Sequence, residues 1–449
     1  MFAGFRRFIY VPAPHTAERL ASILLECLMD WNIDSKISTI TLDNCSTNDS
    51  MVEKVKPKLL SNFLIREGAL LHMRCAAHIL NLIVKDGLTV IKYGLVKIRE
   101  SCAFWLATPR RLEKFQETAK QLRIVSQNRL VLDCPTRWNS THAMLETAIP
   151  NMNVFKRLAQ RDPSYTSLPD DTQWQFASII SEKLGFFTPI TKLFSGNNYP
   201  TANLFFSRVC DLKLKLMDWM DDSNPIIRSM ATSMDMKFQK YWNDIHDLLS
   251  VAVVLDPRCK LEIVEFYAAK LARDDYEPDL HSLGVRQLLS QLVHEYQNTT
   301  RIVVNQSSTA TPNPDSGSGS SAACSDFEHF VRERKKSRMT VVQSELDHYL
   351  ADDVAPNTKD FDLLGWWKTN AAKYPTLADM ARDFLAVPIT SVASESAFSS
   401  GGRLLDPHRS RLHQKNVEAL MCTRSWMQDD LKTGKFSSNS EIHHLTFHF

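Results

Sequence analysis

No Cys-x-x-Cys pair occurs anywhere in the 449 residues. That spacing opens most zinc-finger and zinc-ribbon modules, so a zinc-read nucleic-acid module is not supported here. Nine cysteines are present. They are odd in number and irregularly spaced, a pattern that suits a reducing compartment rather than a disulfide scaffold. No apolar run approaches the ~20 residues of a membrane helix. The opening "MFAGFRRFIYVPAP" has too short an apolar stretch for a signal peptide. Neither sign of charge is in excess: 53 basic residues face 51 acidic ones, a net +2. A uniformly basic nucleic-acid coat is therefore excluded, and any such contact must be local. Glycine is scarce at 13 residues, which favours helices, and no repeat period stands out.

What is present divides by its periodicity. "FRRFIYV" (5–11), "KISTITLDN" (36–44) and "ALLHMRC" (69–75) have strand character. Between the first two, Leu20, Ile23, Leu24, Cys27, Leu28 and Trp31 fall at helical spacing behind Thr16, a natural N-cap. A further helix is expected before the third strand. This alternation reads as α/β. From Ala76 to about Asn298 the signals are almost all helical. "QSSTATPNPDSGSGSSAACSD" (306–326) reads as a disordered linker. "RERKKSR" (332–338) fits a solvated helix face better than a nuclear-import or DNA patch. Amphipathic helices follow, and the tail beyond about Gln428 is polar.

Three motifs stand apart from core patterning. "ITLDNCSTND" puts Asp43 at the exit of a strand, where α/β sheets present their chemistry. Alone, the pattern fits an Asx turn better. "RCAAHILNL" pairs Cys75 with His78 at a Cys-x-x-His spacing. With no second ligand pair nearby, both are read as structural. "DCPTRWNSTHAML" carries Asp133, Arg137 and Trp138. Arg beside Trp can hold a phosphate and stack on a base, although a packed Trp with a snorkelled Arg is commoner.

Taken together and in order, these blocks resemble the plant hAT-family transposases and their domesticated zinc finger BED relatives. The matching stretches are "FIYVPAPHT", "ITLDNCSTND", "RCAAHILNLIVKDGL", "DCPTRWNSTHAMLE", "AVVLDPRCKL" and the long C-terminal run from "SELDHYL" through "FDLLGWWKTNAAKYP" and "SVASESAFSSGGRLLDPHRSRL" to "VEALMC". The resemblance covers Phe5 to about Met427. It implies an α/β plus all-α fold: an incomplete RNase H-like domain interrupted by a large helical insertion and completed by C-terminal dimerisation helices. The implied domains are a partial RNase H-like domain (1–75), the helical insertion (76–300), a linker with a basic stretch (301–340), the dimerisation region (341–427) and a tail (428–449).

The same resemblance makes Asp43 the second and Glu395 the third acid of a metal-dependent catalytic triad. Glu395 is expected in the first turn of a helix, where it would also complement the helix dipole. The segment that follows the family's first aspartate lies at the start of this sequence. The expectation is therefore a chain lacking the first strands, the first acid and the BED finger, with its ancestral Mg²⁺ lost and no cofactor. Two acids do not supply the bridging ligands of a two-metal centre. The expected function is a catalytically inactive, nuclear, transposase-like protein. It would bind DNA weakly and with little specificity through Arg137, Trp138, Arg403, Arg409 and Arg411. It would form a homodimer through Leu346, Tyr349, Leu350, Leu364, Trp366, Trp367, Phe384 and Leu385, about half of this apolar set being core. It would have no membrane association. The alternatives are an active metal-dependent transposase whose true N-terminus lies upstream, and an interaction scaffold without nucleic-acid binding.

Overall fold

The structure is a computed structural model that describes residues 9–59, 64–124, 128–134, 137–196, 199–272, 278–307, 344–358, 360–392, 394–395 and 412–432. The described residues are mostly helical and contain two strands. No described helix is long and apolar enough to cross a membrane.

Helix α1 (Ala17–Asp30) starts where Thr16 Oγ1 accepts the Arg19 N–H at 3.3 Å. Its buried residues, Ala21, Leu25 and Leu28, share one face. Strand β1 (Ile40–Leu42), helix α2 (Ser46–Val55) and strand β2 (His72–Arg74) form a parallel crossover unit in which Ile40 pairs with His72 and Leu42 with Arg74. The core of this lobe is aliphatic, built from Ala21, Leu25, Leu28, Met51, Val52, Val55 and the flanking Leu59, Leu64 and Leu71. The strands are shorter than the sequence pattern suggests. Residues 9–11 adopt no strand, and residues 5–8 lie outside the described residues.

The helical body follows: α3 (Ala76–Ile91), α4 (Val96–Leu106), α5 (Pro109–Gln121), α6 (Trp138–Ala148), α7 (Met152–Arg161), α8 (Asp171–Gly185), α9 (Phe187–Phe194), α10 (Ala202–Met220), α11 (Pro225–Val254), α12 (Glu262–Leu271) and α13 (Pro278–Ser307). Local chemistry sets several starts. Thr108 caps α5 with Pro109 at its first position, and Asp170 with Gln173 forms a capping box on α8. Helix α11 is the central rod, packed against both α3 and α10. The α3–α11 approach is close at Gly87, where a Cβ would lie 2.6 Å from the Met234 side chain. Helix α13 runs to Ser307, into the segment assigned to the linker. No proline or glycine falls between Gly284 and Pro312 to stop it. The rest of that linker and the 332–338 basic stretch lie outside the described residues.

The C-terminal block comprises α14 (Glu345–Ala351), α15 (Leu363–Asn370), α16 (Pro375–Phe384) and α17 (Gln414–Lys432). Ser344 and Asp347 form a capping box at the start of α14. Helices α14 to α16 share one continuous core with the body.

Candidate functional site

Parallel strands present chemistry at their C-terminal ends. Here Asp43 follows β1 and Cys75 follows β2, and the Cys75 N–H donates to the Leu42 carbonyl at 2.7 Å. The C-terminal block returns to this edge. Thr41 Oγ1 donates to the Pro388 carbonyl at 2.5 Å. The Ala76 N–H donates to the Ile389 carbonyl at 2.8 Å. The Ser391 N–H meets the Sγ of buried Cys75 at 3.3 Å. Thr390 Oγ1 anchors the same segment to α9 through the Phe194 carbonyl at 3.2 Å. The chain then turns helical. The Glu395 N–H donates to the Ser391 carbonyl at 3.0 Å, which puts Glu395 in the first turn, and Ser391 Oγ donates to Glu395 Oε1 at 2.8 Å. Folding thus docks residues 388–391 on the strand edge that bears Asp43, and Glu395, 352 positions after Asp43 in the chain, follows one helical turn beyond Ser391.

At that edge the acids make local bonds. Asp43 Oδ1 accepts the Asn48 side-chain amide at 2.5 Å and the Cys45 N–H at 3.4 Å. This is the Asx-turn geometry that closes the loop into α2. Asp49 on α2 accepts Arg74 Nη1 at 2.8 Å and faces His72 Nδ1 at 3.6 Å. The amide nitrogen and oxygen of Asn44 are both buried with no partner among the described residues. His78 is half-buried in the first turn of α3. The sequence did not reveal that the Cys75 thiol is a docking contact for the returning chain.

The other expected site residues are placed as follows. Arg137 is exposed at the start of α6. Trp138 corrects the base-stacking expectation. It is buried, with its ring edge-on to Phe187 at 5.8 Å, and cannot stack on a base without leaving the core. Arg403, Arg409 and Arg411 lie outside the described residues. Asp133, in the same motif as Arg137 and Trp138, is structural. Its fully covered carboxylate takes Arg99 in bidentate fashion at 2.8 and 2.7 Å and the Thr141 hydroxyl at 3.0 Å. Burial pushes this carboxyl up, but Arg99 and Thr141 outweigh it and hold it below the usual carboxylate value.

The apolar set expected to form a dimer patch is largely intramolecular. Leu346, Tyr349, Trp367, Phe384 and Leu385 are buried in the core shared with the body, and Leu350 and Trp366 are half-buried against it. Leu364 remains 42% exposed. Two of these side chains, Tyr349 and Trp367, bond to the "VLDPRCKL" loop (254–261) between α11 and α12. Tyr349 Oη donates to the Val254 carbonyl and Trp367 Nε1 to the Leu255 carbonyl, both at 2.8 Å. The Ala355 N–H donates to the Pro257 carbonyl at 2.8 Å. Buried Lys260 points its ammonium at the end of α14, donating to the carbonyls of Tyr349, Asp352 and Asp353 at 2.7, 2.5 and 3.2 Å. Desolvation holds its pKa below the usual lysine value. Buried Asp256 braces the loop through Arg258 and Asn203. An Asp, an Arg and a Lys set among the apolar residues of this stretch were the signal available in the sequence.

This architecture, a crossover α/β lobe joined to a helical body and closed by a returning C-terminal block, is that of an RNase H-like transposase core. Four matches run along the chain. Residues 6–70 match the ZBED1 RNase-like domain, and 73–183 its RNase-like helical domain. Residues 203–296 match the hAT-like transposase RNase-H fold, and 345–427 the hAT family C-terminal dimerisation region. The 203–296 match falls on α10 to α13, within the range assigned to the insertion. The chain is 35% identical to a putative AC transposase of Zea mays over 94% of its length, and 35% identical to the zinc finger BED domain-containing protein RICESLEEPER 2 of Oryza sativa subsp. japonica, also over 94%. It is 31% identical over 92% of its length to DAYSLEEPER of Arabidopsis thaliana. The chain therefore carries hAT RNase-H-like and hAT C-terminal dimerisation domains. It spans 52%, 60% and 58% of the length of these three relatives.

A triad of this family implies divalent metal. Among the described residues no group of three or more His, Cys, Asp or Glu side chains could hold an ion. Asp43 already uses an oxygen for two local bonds. The described residues do not by themselves fit a two-metal centre.

Proposed function

We propose that this chain is a self-associating, DNA-associated protein of the nucleus that does not cleave DNA. The observation that carries this reading is the contrast between its two candidate sites. Within residues 345–427, which match the dimerisation region, Tyr349 and Trp367 are hydrogen-bonded to the 254–261 loop of the body. The acid edge, in contrast, offers Asp43 and Glu395 held in local hydrogen bonds. Self-association falls to surface that the internal core leaves over: Leu364, Leu420 and Met427 are 42%, 47% and 47% exposed. Contact with DNA is electrostatic and weakly sequence-dependent, with the exposed Arg137 as one candidate. No Mg²⁺ is required for either role.

Light scattering of the purified chain at micromolar concentration is expected to report a dimer, and a monomer would overturn self-association. DNA nicking with Mg²⁺ or Mn²⁺ is expected to stay at background. Cleavage that is lost in Asp43→Ala would instead establish an active nuclease.

A further inference from the structure

The charge of this chain is unevenly distributed. Between Ala107 and Arg161 ten Lys and Arg face four Asp and Glu, a net +6, while the whole chain carries +2. The remainder is therefore acidic overall. The fold gathers part of this excess at one place, because α5 packs on α7 and Arg161 Nη1 donates to Gln121 Oε1 at 2.8 Å. That bond brings the last turns of the two helices together. Lys120 and Arg123 flank Gln121 and are exposed. Arg157 lies one turn before Arg161 on α7, and both are exposed. Arg157 bonds to the neutral Gln160 at 3.4 Å, and none of the four has a carboxylate partner among the described residues. The nearby acid Asp162 is taken by Lys114 at 2.8 Å and by Ser164. Glu117, one turn before Lys120, is the remaining counter-charge on this part of α5.

We infer that Lys120, Arg123, Arg157 and Arg161 form a docking surface for the phosphate backbone of duplex DNA. The inference rests on the DNA-associated reading above and locates that contact on the α5–α7 surface. A surface with this excess of unpaired cations calls for a polyanion. Three of the four are arginines, whose planar forks match phosphate oxygens. Arg157 and Arg161 are separated by about 6 Å along the helix axis, close to the roughly 6.8 Å axial spacing of alternate phosphates on one strand.

The test is binding of the full chain to a 30-base-pair duplex by fluorescence anisotropy, between about 50 and 200 mM salt. The variant K120Q/R123Q/R157Q/R161Q is compared with K240Q/K270Q/K368Q/R382Q, which removes the same charge from exposed positions elsewhere. Circular dichroism confirms that both fold. The surface variant is expected to lose at least tenfold in affinity and to lower the salt slope by up to about 3–4, with the control much less affected. Equal losses in the two variants, or an unchanged surface variant, overturn the α5–α7 assignment and leave the DNA reading intact. A wild-type chain without salt-dependent DNA binding overturns both. If single-stranded RNA or an acidic polypeptide is bound more tightly than the duplex through these four residues, the assignment of DNA as the partner is overturned.

Discussion

The α1–α2 lobe and the helical body are built from different materials. Among the described residues, the lobe's core is built from aliphatic and methionine side chains around two three-residue strands. The body interlocks aromatic rings: Phe115 meets Phe155 at 5.0 Å, Trp105 meets Tyr165 at 5.3 Å and Phe155 meets Trp174 at 5.6 Å. Each such ring buries roughly 150–250 Å². Within the body the buried charges of Asp133 and Lys260 are hydrogen-bonded in place. The segment around β2 stands between the two, with Leu71 in the small core and Leu70 and Met73 in the large one. Parallel sheets are normally covered on both faces. Here the 388–391 return segment supplies part of that cover, so the order of the lobe depends on the body and on the C-terminal block together.

The difference can be broken first at the seam. Trp367→Ala removes a buried ring and leaves the Leu255 carbonyl without its donor, and should cost about 3–5 kcal/mol of global stability. Urea denaturation reads this directly. A cost below about 1 kcal/mol would mean that the C-terminal block is not part of the main cooperative unit. Leu25→Ala, in the lobe, should cost about 2–4 kcal/mol locally. Amide exchange should accelerate in α1 and α2 while α10 and α11 keep their protection. Uniform acceleration would erase the distinction between the two cores.

A smaller effect separates the packing of α13 on α16 from the rest of the body. Burial raises the Asp383 carboxyl above its usual value, against the lowering effect of the Tyr296 hydroxyl, which donates to it at 2.7 Å. The unfolded chain therefore ionises Asp383 at lower pH than the folded one. This group's stability contribution is fully present below its unfolded pKa and falls as pH rises through the carboxylate range. Asp383→Asn should flatten that part of the stability–pH curve, at and above the ordinary Asp range. An unchanged slope would show that Asp383 ionises freely in the fold. The smallest effect is expected at the acid edge. Asp43→Ala breaks an exposed Asx turn and should cost about 0.5–1.5 kcal/mol, confined to amide exchange in the β1–α2 loop.

The sequence by itself determined the local elements and the hAT resemblance. Thr16 marks the start of α1 and the helical periodicity beyond Ala76 marks the body, because caps and amphipathic spacing are decided by neighbours a few residues apart. The quoted blocks identified the hAT pattern, and the position of Glu395 just after the Pro388 break agrees with a first helical turn. Tertiary structure alone decided what each large apolar side chain faces. Tyr349 and Trp367 have the composition of an interface hot spot, yet they close onto the 254–261 loop, and Trp138 has the look of a stacking platform but packs on Phe187. An apolar ring gains the same burial from its own chain as from a partner, so its sequence pattern cannot distinguish the two. The gathering of Lys120 and Arg123 with Arg157 and Arg161 was hidden for a related reason. Charges on two helices become one surface only when packing brings the helix ends together, and the whole-chain balance of +2 averages that surface away.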